Sequence, residues 1–230
     1  MSNFVIEPAA VPAIPVEGEV ALFPVRRVYC IGRNYAAHAI EMGGDPNREA
    51  PFFFQKNANN LDASGVFPYP PKTTDVHHEV EMVVALKSGG SNIALSDALD
   101  HVYGYAVGVD MTRRDLQAKA KEAGRPWEIA KAFERSAPVS PLRPAAQIGH
   151  PDKGSITLNV NGQARQEGDL AQMIWKVPEM ISYLSEYFEL AAGDVILTGT
   201  PAGVGPVVVG DVLEASIEGV GSLTVTVVAG

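Results

Sequence analysis

The chain holds a single cysteine, Cys30, among 230 residues. An intrachain disulfide framework is therefore excluded, and a reducing compartment is compatible with the sequence. Basic charge is scarce: 18 Lys and Arg stand against 27 Asp and Glu, a formal net charge of −9. Nucleic-acid binders need basic surface to displace counterions, so no nucleic-acid partner is expected. No apolar run approaches the ~20 residues of a membrane helix, so no membrane partner is expected either. Residues 1–20, rich in Ala, Pro and Val, lack the basic start and compact apolar stretch of a secretory signal. Residues 1–24 read as an extended arm ahead of a domain at 25–230, and a cytoplasmic location is expected.

What is present points to a folded domain. The apolar share is 46% and the charged share 20%, ordinary for a globular chain. With 22 glycines and 17 prolines the chain turns often. Strand patterns cover 25–31, 52–54, 76–86, 103–109, 195–197, 212–217 and 222–228. Residues 156–160 and 163–166 flank Asn161-Gly162, a primed-turn hairpin signal. Helical spacing covers 35–42, ended by Gly43, Gly44, Asp45 and Pro46, then 115–122, and 177–188 with Pro178 in a tolerant first turn. Strands dominate and helices are short, without the regular alternation of a doubly wound sheet.

Several side chains have chemical potential. In one continuous strand, Glu79 and Glu81 share a face. A divalent cation relieves the repulsion of two such carboxylates; an edge strand in water does so equally well. Asp110, ending the run YAVGV, completes an all-oxygen set that suits Mg²⁺ or Mn²⁺, or else caps the following helix. His77 shares the glutamate face and His78 points away; both suit packing more than ligation. His38 and Glu41, three apart on a helix, can form a pair that takes a proton from water, although such pairs are common on helix surfaces. Lys131 sits among apolar residues, either reaching solvent or facing the carboxylates. One of Arg113 and Arg114 suits a substrate carboxylate and the other suits solvent. Cys30 suits a buried structural thiol. The run LTGTPAGVG lacks the Gly-Lys-Ser/Thr ending of a phosphate loop, and reads as a tight turn or a source of N–H groups for an anion.

Together GRNYAAHAIEM, HHEVEM, YGYAVGVDMTRRDLQ, GRPWEIAKAF and ILTGTPAGVG resemble the fumarylacetoacetate hydrolase family, over nearly all of residues 25–228. Within it the motifs are most similar to the bacterial fumarylpyruvate hydrolases. The resemblance implies an α+β fold built as a mixed β-sheet roll with few short helices and a lid segment, assembled as a homodimer. It implies a Mg²⁺ or Mn²⁺ ion on Glu79, Glu81 and Asp110, and catalytic roles for His38, Glu41 and Lys131. It implies that Arg33, Lys56, Arg114, Gln117 and Thr200 surround a small 2-oxo acid. The implied reaction is hydrolytic C–C cleavage of an acylpyruvate, fumarylpyruvate above all. Oxaloacetate decarboxylation and isomerisation of a dienoic 2-oxo acid are alternatives on the same scaffold, as is an idle metal-binding homologue. Many relatives have Lys-Pro at Lys56-Asn57, in a loop expected at the substrate end distant from the metal.

Overall fold

The computed structural model describes residues 4–41 and 50–230. Two sheets carry the architecture. A six-stranded mixed sheet runs, in spatial order, Arg143–Pro144, Val102–Val109, Val80–Leu86, Asp194–Leu197, Arg27–Gly32 and Phe52–Lys56. All its neighbours pair antiparallel except Asp194–Leu197 with Arg27–Gly32. A five-stranded sheet runs Gln163–Asp169, Ser155–Val160, Val212–Ile217, Gly221–Val228 and Val66–Pro68.

The run VEMVVAL explains the layering. Every residue of Val80–Leu86 is buried, which requires cover on both faces of the strand. Met82, Val84 and Leu86 join the larger core with Ile156, Leu158, Leu213 and Val225 of the five-stranded sheet. The helix Val177–Tyr187 adds Met180, Ile181 and Leu184 to that core. The alternate residues Val83 and Ala85 face a second core holding Val28, Cys30, Ala106 and Leu197. Each Val, Leu or Met so buried contributes roughly 1.5–3 kcal/mol. A polar side chain in this strand is thus carried inside with its neighbours.

The N-terminal segment packs onto the second core. Ala13–Pro15 pairs with Leu22–Pro24, and Ile14 and Val16 are buried there. Residues 57–65, outside the strand patterns of the sequence, contain Leu61–Asp62, which pairs in parallel with Ala137–Pro138. The helix expected over 35–42 runs Ala36–Glu41; Met42 and the stop at Gly43–Pro46 lie outside the described residues.

One strand divides. Residues 76–86, expected to be continuous, form Val76–His78 and Val80–Leu86 in different sheets. Val76–His78 pairs with Thr112–Arg113 and Gly205–Val207. The chain crosses between sheets at Glu79, whose carbonyl accepts the Asp110 N–H at 2.8 Å. The side chain of Gln166 supports the crossing, accepting from Val80 N at 3.0 Å.

Candidate active site

A cavity opens at one end of the six-stranded sheet. Val80–Leu86 enters the sheet here, while Val102–Val109, Asp194–Leu197 and Arg27–Gly32 leave it. Consequently Glu81, Asp110, Thr200 and Arg33 line one space, although up to 167 positions apart in sequence. His38, Glu79, Arg114, Gln117 and Lys131 line it too.

The floor is acidic. Glu79, Glu81 and Asp110 are each buried and offer oxygens that all lie within 4.8 Å of one another. The crossing at Glu79, not the strand face inferred from spacing, brings the two glutamates together. Lys131 Nζ reaches Glu79 Oε2 at 2.8 Å and Asp110 Oδ2 at 2.7 Å. Arg114 pairs with Glu79 Oε1 and donates to Gln117 Oε1 at 2.6 Å. Burial disfavours the Glu79 anion, but Lys131 and Arg114 outweigh it and hold its carboxyl well below the usual range.

Glu81 is treated differently. Burial, then repulsion from Asp110 and Glu79, pushes its carboxyl well above the ordinary glutamate value. Its close hydrogen-bond partner is the N–H of Gly199, at 2.8 Å. Gly199 adopts φ +91°, and a Cβ there would stand 2.7 Å from Asn34 Cβ and 3.0 Å from Ile31 O. Only glycine brings that N–H to the carboxylate without strain. An all-oxygen set with one carboxylate free of ion pairs among the described residues fits a hard divalent cation.

The histidine pair stands over this floor. His38 is buried, and its Nδ1 lies 3.0 Å from Glu41 Oε2. A carboxylate only accepts, so Nδ1 carries a proton, and in the neutral imidazole the basic nitrogen is Nε2. Glu41 is itself held by the N–H of Gly203, 3.0 Å from Oε1. The glycine run LTGTPAGVG therefore gives its N–H groups to two protein carboxylates, one in the floor and one in the pair.

Lys56 is the exception among the expected site residues. It does not line the cavity, and its buried Nζ lies behind Asp110, 2.8 Å from Oδ1. It also donates to Ser136 Oγ at 3.0 Å and to the carbonyls of Met111 and Lys131. The Lys56 side chain thus reaches the acidic floor, whereas its loop was expected at the substrate end distant from the metal. Thr200 lines the wall while its Oγ1 accepts from Gln166 Nε2 at 2.8 Å. The same Gln166 accepts from His78 Nδ1 at 3.0 Å, and His77 Nε2 lies 2.9 Å from Asp75. Both histidines thus bond partners outside the carboxylate set. Arg113 is not simply solvated: it donates to Ile129 O at 3.0 Å and stacks 4.4 Å from the Phe133 centroid. Cys30 is fully buried, and burial raises its thiol far from a reactive range.

Sequence reasoning missed Phe54, Lys121 and Trp127 in the cavity wall, and Gln166, Gly199 and Gly203 behind it. The glycines carry a legible signal, since each lies in the run singled out above. Phe54 lies in a strand pattern and Lys121 in a helical one, and neither pattern marks a cavity wall.

Comparisons with known proteins give the family. Residues 27–228 match the model for the fumarylacetoacetate (FAA) hydrolase C-terminal family. The chain belongs to that family. A fumarylpyruvate hydrolase from Pseudomonas aeruginosa, solved in complex with Mn²⁺ and pyruvate, is 52% identical. The match covers 99% of this chain and 100% of that one, with a TM-score of 0.96. The mitochondrial oxaloacetate tautomerase FAHD1 of Arabidopsis thaliana is 42% identical, over 84% of this chain and 86% of its own length. A mitochondrial oxaloacetate decarboxylase of Dictyostelium discoideum is 40% identical, over 84% and 89%. The mixed sheets and short helices are those expected of the family. Among the described residues no helix is long and apolar enough to cross a membrane.

Proposed function

We propose that this protein is a divalent-metal-dependent hydrolase of acylpyruvates, with fumarylpyruvate the best-fitting substrate. The observation that carries the reading is the His38–Glu41 pair, fixed by Gly203 above a buried carboxylate triad. Glu79, Glu81 and Asp110 would hold the ion, Mn²⁺ or Mg²⁺, and the Mn²⁺ and pyruvate of the Pseudomonas relative support this choice. When bound, the ion supplies Lewis-acid stabilisation of negative charge on the oxygens of a 2-oxo acid.

The residues divide the remaining work. His38 Nε2 takes a proton from water, with Glu41 stabilising the imidazolium at Nδ1. The hydroxide adds to the 4-carbonyl carbon. The C3–C4 bond then breaks, its electron pair staying on C3 as the pyruvate enolate, and the acyl half leaves as a carboxylic acid. Lys131 faces the growing charge with a buried ammonium. Burial disfavours that ammonium, but Asp110 and Glu79 raise its pKa and keep it charged. The proton that His38 took from water is returned to C3, which completes pyruvate. Arg33, Arg114, Gln117 and Thr200 would position the substrate from the walls.

A second reading, oxaloacetate tautomerisation or decarboxylation, is favoured by the 40–42% identical relatives with those names. Both reactions need the charged floor but no attacking water. Purified protein with Mn²⁺ is assayed on fumarylpyruvate, acetylpyruvate and oxaloacetate, alongside His38→Ala. We expect acylpyruvate cleavage that falls about 10²–10⁴-fold in the variant, with Mn²⁺ affinity retained. Turnover of oxaloacetate alone would overturn the hydrolase reading.

A further inference from the structure

The cavity is walled by aromatic rings between two cations. At the inner end, Lys131 Nζ lies 5.1 Å from the centroid of Phe54. The Phe54 and Trp127 rings follow, 5.7 Å apart. At the outer end, Lys121 Nζ lies 5.1 Å from the Trp127 centroid. The two lysines thus mark the ends of one apolar strip along the cavity wall.

Their electrostatic situations differ. Lys131, Lys56 and Arg114 each pair with a floor carboxylate. Lys121 and Arg33, both exposed at the mouth, have no ion pair among the described residues. Partial burial of its ammonium, and then the nearby charges of Arg114 and Arg33, lower the Lys121 pKa, a cost that an incoming anion would relieve. A chain of net charge −9 repels dianions at long range, so unmatched cations at a cavity mouth have local importance.

We propose that Lys121 receives the distal carboxylate of a dicarboxylic 2-oxo acid, and so selects acyl chains that end in a negative charge. The proposal rests on the reading above that the 2-oxo end sits on the acidic floor. A flat chain then lies along Phe54 and Trp127 and places its far end beside Lys121.

The test compares two acids of equal chain length that lack a 4-oxo group and cannot be hydrolysed. Calorimetry on the full-length, Mn²⁺-loaded protein measures 2-oxoglutarate against 2-oxopentanoate, a carboxylate against a methyl group. The wild type should prefer the diacid by about tenfold, the worth of one charge-assisted contact at a wet site. Lys121→Met should bring the affinity ratio close to one, and Lys121→Arg should restore it. A ratio that persists in Lys121→Met overturns the role of Lys121 while leaving the floor reading intact. Failure of the wild type to bind either acid overturns the floor reading and the proposal with it.

Discussion

Gly203 donates its backbone N–H to the carboxylate of Glu41, 162 positions earlier in the chain. The contact decides where Glu41 stands and, through Glu41, how His38 is turned. Glu41→Gln keeps an acceptor for Gly203 but removes the anion facing His38 Nδ1. Acylpyruvate kcat should fall about 10²–10⁴-fold, with the Mn²⁺ affinity of the floor kept. Steady-state kinetics beside a metal titration checks both. Equal loss of metal affinity would show that the variant acts through the floor instead.

The raised Glu81 carboxyl makes cation binding pH-dependent. A carboxyl raised in the fold favours the folded state while protonated; that contribution is present below the ordinary glutamate value and is lost as pH rises through the raised one. The metal-free protein should thus lose stability from this group with rising pH. Glu79 has the opposite sign, and its contribution is lost only in acid. Mn²⁺ must displace the Glu81 proton, so the gain in Tm on adding Mn²⁺ should grow with pH. Calorimetry in two buffers of different ionisation enthalpy should detect proton release. Glu81→Gln should abolish that release and raise the metal-free Tm.

Lys56 is a test of support without contact. Lys56→Met leaves Asp110 Oδ1 and the acceptors around it buried without their ammonium. Removing one partner of such a pair costs about 3–5 kcal/mol. Urea denaturation should show that loss, and saturating Mn²⁺ should recover part of it. A change in KM with no change in stability would instead place Lys56 at the substrate.

Gly199→Ala should cost both structure and metal. Its φ of +91° strains any L side chain, and the new Cβ would press on Asn34 and the Ile31 carbonyl. A loss of about 1–3 kcal/mol is expected, together with weaker Mn²⁺ binding as the N–H leaves Glu81. Paired thermal melts with and without Mn²⁺ separate the two.

Much of this site was legible because local rules and tertiary demands agreed. The apolar run around Glu81 announced a strand covered on both faces, and Asp110 stood where a strand had to end. Glu79 shows the limit. Periodicity placed it on the face of Glu81, and a crossing between sheets accomplished the same meeting by a different route. Such a crossing depends on partners near 112 and 205, which no local window contains. Lys56 was legible as a site residue but not as one behind the floor, because residue type does not reveal which side of a carboxylate a lysine approaches. Lys121 was invisible for a third reason: it stands in the charged end of its helix, between Lys119 and Glu122, and a lysine in such a run ordinarily means water.

The loop that carries Gly199 and Gly203 also makes an observation post. The Gly203 amide finds its acceptor on the helix Ala36–Glu41, so its proton reports whether that helix is seated. The Gly199 amide, bonded to Glu81, reports the floor in the same way. Two amide resonances four residues apart would follow helix seating and cation arrival as separate signals. Their exchange rates with and without Mn²⁺ would reveal whether the two events occur together or in sequence.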